Sequence, residues 1–203
     1  MTTPRRRVAI LISGRGSNMT ALIEAAQVKD YPAEIALVVS NRPDAAGLEF
    51  ASKNGIATAI VDHKSFANRE AFDAALQEQL ERSRIEIVCL AGFMRMLTTT
   101  FVEKWRGRMI NIHPSLLPEL KGLHTHARAL AAGMKIHGCT VHFVEPELDS
   151  GPIILQEKVP VHASDTEETL AARVLEAEHR TYPEALKILA EGKKFGNGAS
   201  ITG

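Results

Sequence analysis

Cysteine is nearly absent from this chain: Cys89 and Cys139 are the only two among 203 residues. Neither belongs to a CxxC pair or a Cys/His zinc spacing, which leaves no basis for a disulfide framework or a zinc module. Both read as small apolar residues in buried strands, which fits a reducing cytoplasm. Net charge is missing too. The 24 Lys and Arg balance the 24 Asp and Glu, so there is no basic excess of the kind that marks a nucleic-acid partner. Long apolar runs are also lacking, and nothing approaches the roughly 18 residues of a membrane span. Arg5-Arg6-Arg7 precedes an apolar run, but Val8–Ile12 is shorter than the ~7–15 residues of an export leader. Internal repeats, linkers and low-complexity segments are absent.

What remains is an ordinary globular balance, 45% hydrophobic and 24% charged, suited to one domain over 1–203 with its core over about 7–189. Apolar strands alternate with helical patterns. Strands are expected at Arg7–Ile12, Glu34–Val39, Ala57–Val61, Ile85–Leu90 and Met109–His113. Helices are expected near Met19–Ala26 and His126–Ala132, and at Ala46–Lys53 and Arg69–Arg82. The alternation predicts an α/β fold, a mostly parallel sheet with helices on both faces. Ile136–Val144 and Ile153–Val161 then follow each other directly and predict a late antiparallel element. Thr166–Leu189 reads as helix capped by Ser164 or Asp165, with Pro183 expected to interrupt or restart it. Residues 192–203 read as a loose tail.

The most informative segment is Asn111-Ile112-His113-Pro114 at the end of a predicted strand. Residues i and i+2 of a strand share a face, and Pro114 ends the ladder. An amide and an imidazole therefore stand together at a strand's carboxyl end, where open α/β sheets hold ligands. The amide can donate to a developing oxyanion, and the imidazole can move a proton near neutral pH. The spacing fits a capping Asn and a hydrogen-bonded loop His equally well.

Ser13-Gly14-Arg15-Gly16-Ser17-Asn18 joins the first strand to the first helix. It matches neither Walker A nor GxGxxG. Glycines and a helix N-terminus make it a phosphate cradle or a tight turn. Asp149, in Leu148-Asp149-Ser150-Gly151-Pro152, is either a partner for His113 or a plain turn residue. His124 and His126 lack a matching ligand set, so no metal is expected. Met94, Arg95, Met96 and Leu97 follow a buried strand and suit an apolar pocket or a continuation of the core.

In order, ISGRGSN, LAGFMRML, NIHPSLLP, GLHTH, HGCTVHFV and LDSGPIILQ resemble the phosphoribosylglycinamide formyltransferases, from about Arg7 to about Leu189. The resemblance implies a Rossmann-like formyltransferase fold. It also implies transfer of a formyl group from 10-formyltetrahydrofolate to the glycinamide amine of 5'-phosphoribosylglycinamide, in de novo purine synthesis. Asn111 would then bind the oxyanion, His113 would assist the charge and proton movements, and Asp149 would hold His113 protonated. Gly14, Arg15, Gly16, Ser17, Asn18 and Glu178 would bind the ribonucleotide. Arg69, Met94, Arg95, Met96, Leu97 and Asn111 would contact the folate. Glu178 and Arg69 rest on the resemblance alone. Leu120 departs from the family, which usually has an aromatic there.

Methionyl-tRNA formyltransferases and formyltetrahydrofolate deformylases share the motifs, but they carry an additional domain for which 203 residues leave no room. Pro114 also stands where deformylases tend to have His. A non-catalytic nucleotide-binding module is disfavoured by the intact Asn111, His113 and Asp149. The expectation is a cytoplasmic enzyme acting on small molecules, monomeric or homodimeric, with no membrane, nucleic-acid or metal partner.

Overall fold

The computed structural model describes residues 4–192. Seven strands form a single sheet in the order β3-β2-β1-β4-β5-β6-β7. They are β1 (Arg6–Ile12), β2 (Ala33–Ser40), β3 (Ala57–Ile60), β4 (Ile87–Leu90), β5 (Met109–His113), β6 (Ile136–Phe143) and β7 (Ile153–Pro160). The first five pair in parallel, while β6 runs antiparallel to both β5 and β7. Six helices accompany them: α1 (Ser17–Ala26), α2 (Ala46–Lys53), α3 (Arg69–Arg82), α4 (Thr99–Lys104), α5 (Thr125–Ala131) and α6 (Glu167–Ala190).

Period-two alternation along β1 divides the interior into two layers. Val8, Ile10 and Ile12 face one core with Met19, Leu22, Val174 and Tyr182, from α1 and α6. Ala9 and Leu11 face the other with Phe72 and Leu76 of α3, Phe101 of α4 and Trp105 just after it. Burial on both faces explains why β1 and β4 read as continuous apolar runs rather than alternating ones. The Tyr182 hydroxyl reaches the carbonyls of Leu90 and Ile110 and so ties α6 to two adjacent strands.

From β1 the chain winds outward through β2 and β3, then returns across the sheet to β4. The strand order therefore reverses between β1 and β4, and open α/β sheets hold ligands beyond the carboxyl ends of the strands at such a reversal. Residues 13–18 follow β1, residues 91–98 follow β4, and Asn111 and His113 end β5. Three motifs far apart in sequence thus converge on one rim.

Several boundaries differ from the sequence reading. Pro183 lies inside an unbroken α6. Proline removes one helical hydrogen bond, but Tyr182, Ala185 and Leu186 are fully buried around it, and that packing carries the helix through. The cap of α6 is Thr166, which forms a reciprocal pair with Thr169. Asp165 instead pairs with Arg173 at 2.8 Å. Helix α4 had no sequence signal because six residues are too few to show a period. The expected tail lies, from residue 193 on, outside the described residues.

Candidate active site

Strand β6 lies antiparallel against β5 with Asn111 opposite His142 and His113 opposite Thr140. Cross-strand partners are close neighbours, so Asn111 Nδ2 stands 3.3 Å from His142 Nε2. The loop after β6 returns Asp149 over the end of β5. Its two carboxylate oxygens divide their partners. Oδ2 lies 3.4 Å from His113 Nδ1 and accepts the Gly122 N–H at 2.9 Å. Oδ1 lies 3.7 Å from His142 Nε2. Asp149 has a left-handed backbone, φ 49°, which Asp tolerates better than most residues.

His113 is buried, and its Nε2 donates to the Leu120 carbonyl at 3.0 Å. A carbonyl and a carboxylate only accept hydrogen bonds. His113 thus has one acceptor beside each ring nitrogen, the Leu120 carbonyl at Nε2 and the Asp149 carboxylate near Nδ1. Leu120 supplies that carbonyl from a left-handed backbone, φ 54°, and its side chain packs against the α1/α6 core in place of the family's usual aromatic. The loop beneath is braced from inside. Thr140 Oγ1 donates to the Ser115 carbonyl and accepts the Leu117 N–H, while Gln156 Nε2 donates to the Leu117 carbonyl.

The segment 14–18 turns sharply into α1. Gly16 adopts φ 69° at the helix start, a conformation that glycine enters freely. Gly14 and Arg15 are exposed, and Ser17 begins the helix. Asn18 Nδ2 donates to Glu178 Oε2 at 2.7 Å, so α6 contributes a carboxyl to this turn. Burial pushes Glu178 up to about 7, against the opposing effect of the Asn18 hydrogen bond. The Asn18 carbonyl oxygen is buried with no partner among the described residues.

The segment after β4 is apolar at its surface. Met94 is 70% exposed and Met96 51% exposed, unusual for side chains that normally fill cores. Leu97 is half-buried against the α3/α4 core. The Arg95 guanidinium lies over the Phe72 ring, and its Nε is buried without a partner. The exposed thioethers of Met94 and Met96 present a flat apolar surface of the kind that suits a planar ligand.

Arg69 is exposed at the first position of α3, and among the described residues no hydrogen bond or ion pair joins it to the rest of this group. His126 Nδ1 lies 3.2 Å from His137 Nε2, and burial pushes His137 down to about 4. Among the described residues no group of three or more His, Cys, Asp or Glu is placed to hold a metal. His124 caps the start of α5 in a left-handed conformation.

Three features escaped the sequence reading. His142 was visible only as part of HGCTVHFV, and its partner depended on a β5–β6 register that no single sequence reveals. Ser13 accepts the Met94 N–H at 2.8 Å and donates to Asn41 Oδ1 at 2.6 Å, joining the turn after β1 to the segment after β4. Gly47 donates to the Gly14 carbonyl at 3.1 Å, and a Cβ there would stand 2.6 Å from Ile12 Cδ1. A glycine inside a helix gives no sequence sign of such a contact.

The formyl transferase family profile matches residues 6–186. The chain belongs to that family. It is 47% identical to the phosphoribosylglycinamide formyltransferase of Escherichia coli (strain K12) over 198 residues, which covers 97% of this chain and 93% of that protein. It is 53% identical to the trifunctional purine biosynthetic protein adenosine-3 of Bos taurus over 93% of its own length, but spans only 19% of that larger protein. The crystal structure of phosphoribosylglycinamide formyltransferase from Brucella melitensis superimposes with a TM-score of 0.89 at 54% identity, covering 94% of this chain and 98% of that one. The formyltransferase fold and the enzyme class follow from these likenesses, and 10-formyltetrahydrofolate is the formyl donor of the family. No helix among the described residues is long and apolar enough to cross a membrane.

Proposed function

We propose that this formyltransferase moves the formyl group of 10-formyltetrahydrofolate to the glycinamide amine of 5'-phosphoribosylglycinamide, a step of de novo purine synthesis. The products are the N-formyl ribonucleotide and tetrahydrofolate. The observation that carries the reading is the cluster of Asn111, His113, Asp149 and His142 at the end of β5, on the same rim as the glycine turn after β1 and the exposed methionine segment after β4.

In the reaction the amine nitrogen bonds to the formyl carbon, and the bond from that carbon to the folate nitrogen breaks. The formyl oxygen gains negative charge in between. Asn111 Nδ2 supplies a donor for that oxygen, and His113 stands two residues along the same face of β5. The entering amine must lose a proton and the departing nitrogen must gain one. His113 is the group suited to handle it, with Nε2 exchanging the Leu120 carbonyl for the substrate while Nδ1 stays beside Asp149. Asp149 keeps His113 oriented from Nδ1 and is itself fixed by the Gly122 N–H. Gly14 to Asn18, with Glu178, holds the ribonucleotide. Met94 to Leu97 line the folate side, and Arg69 would join them only through contact with the bound ligand.

Two free, buried cysteines support a reducing, cytoplasmic setting, and we expect a monomer or homodimer. The test supplies 10-formyltetrahydrofolate with 5'-phosphoribosylglycinamide, with water alone, or with methionyl-tRNA. Tetrahydrofolate should appear only with the ribonucleotide. Equal release in water alone would make the enzyme a hydrolase.

A further inference from the structure

An amide serves as an oxyanion donor only when its nitrogen, not its oxygen, faces the reacting group. A half-turn about the last side-chain bond exchanges the two at little intrinsic cost, so something must hold Asn111 the right way round.

The ring opposite it in β6 does so. His142 Nδ1 is 2.8 Å from the Phe143 carbonyl. A carbonyl only accepts, so Nδ1 carries hydrogen. His142 is 2% exposed, and burial holds it below the ordinary imidazole range. The Phe143 carbonyl and Asp149 favour a charged ring, while His113 and Lys121 add to the effect of burial, which prevails. The ring is therefore neutral at neutral pH, with a bare lone pair on Nε2. That lone pair accepts, so the Asn111 group 3.3 Å away must be its NH2. One N–H of Nδ2 is then held by His142, and the second remains for a ligand.

We propose that His142 is a positioning residue that locks the Asn111 amide in its donating orientation. The assignment rests on the oxyanion role given to Asn111 above. Hydrogen on Nε2 would reverse the lock. That nitrogen would then point its hydrogen at Asp149 Oδ1, 3.7 Å away, or at the Asn111 oxygen. In the latter case the amide would turn and lose its role as a donor.

Two measurements test this. Long-range nitrogen-15 correlation spectra of the wild-type protein at neutral pH should show His142 with hydrogen on Nδ1 and a bare Nε2. Hydrogen on Nε2 would overturn the proposal without any variant being made. The second measurement is a double-mutant cycle. His142→Leu should lower kcat about tenfold or more, since misplacing a donor costs part of the 10²–10³ lost on its removal. Both KM values should hold within about twofold. His142→Gln, which keeps an acceptor, should recover most of that loss. In an Asn111→Ala background, His142→Leu should cost nothing further. An equal loss in both backgrounds would assign His142 a role independent of Asn111. If His142→Leu does not fold, the wild-type spectrum and the Gln variant still decide. A wild type inactive with 5'-phosphoribosylglycinamide would instead sink the functional reading while leaving the His142 hydrogen position intact.

Discussion

Asn18 and Glu178 are separated by 160 positions in sequence and joined by a 2.7 Å hydrogen bond. The contact fastens the turn after β1 to the middle of α6. It also places a buried carboxyl where the proposed ribonucleotide site needs an acceptor. Burial pushes the Glu178 carboxyl up from 4.5 to about 7.

Glu178 therefore binds its proton more tightly in the folded chain than in the unfolded one. The resulting stability is fully present below about 4.5 and is lost as pH rises through about 7. Glu178→Gln has no charge to bury. At pH 8 the variant should be more stable than wild type by on the order of 3 kcal/mol, shrinking toward zero near pH 5. Calorimetric melts of both proteins at the two pH values check it. A difference that does not change with pH would mean that Glu178 is not desolvated.

The glycine turn and the methionine segment should be separable by mutation. Gly16→Val forces a β-branched residue into φ 69° and places its Cβ about 3.2 Å from the Met19 side chain. The ribonucleotide KM should rise about tenfold or more, since close backbone approach to phosphate is lost. Folate affinity should hold. Loss of folate binding with ribonucleotide binding intact would reverse the allocation of the two sites.

Ser13→Ala gives the complementary result. It leaves the Met94 N–H without its acceptor, a loss of about 1 kcal/mol or roughly fivefold in affinity. Folate binding should weaken by that factor, and binding of the ribonucleotide should change by less. Titration calorimetry with each ligand decides between this and a purely structural hydroxyl, which would leave both affinities alone.

Asp149→Asn keeps the shape of the side chain and removes its charge. The Gly122 N–H can still be accepted, but His113 loses the anion beside Nδ1. The Nδ1 environment of His113 should change, shifting its ring nitrogen resonances, and kcat at neutral pH should fall by about 10²-fold, the lower end of a general acid–base contribution. Nitrogen-15 spectra of His113 in wild type and variant read the first effect directly. Identical spectra would leave Asp149 as a turn residue.

Much of this was legible in the sequence because the fold and the site use short-range signals. Buried parallel strands are apolar runs, and Pro114 marks where β5 ends. Asn111 and His113 share a face by period alone. What could not be read depended on register or on tertiary packing. His142 meets Asn111 only through the antiparallel pairing of β5 with β6. Pro183 sits in a continuous helix because buried neighbours outweigh a missing hydrogen bond. Thr166 rather than Asp165 caps α6 because Arg173 claims the carboxylate. Glu178 looked like a solvated helix charge, and only the packing of α6 against α1 reveals it as buried.

In the proposed function the end of β5 performs the chemistry while neighbouring segments bind the substrates. His113→Asn tests it most directly, through kcat together with the dissociation constants of 5'-phosphoribosylglycinamide and a non-reactive folate analogue. The account predicts a kcat lower by about 10²–10⁴-fold with both dissociation constants within about threefold of wild type. Turnover near the wild-type rate would contradict it.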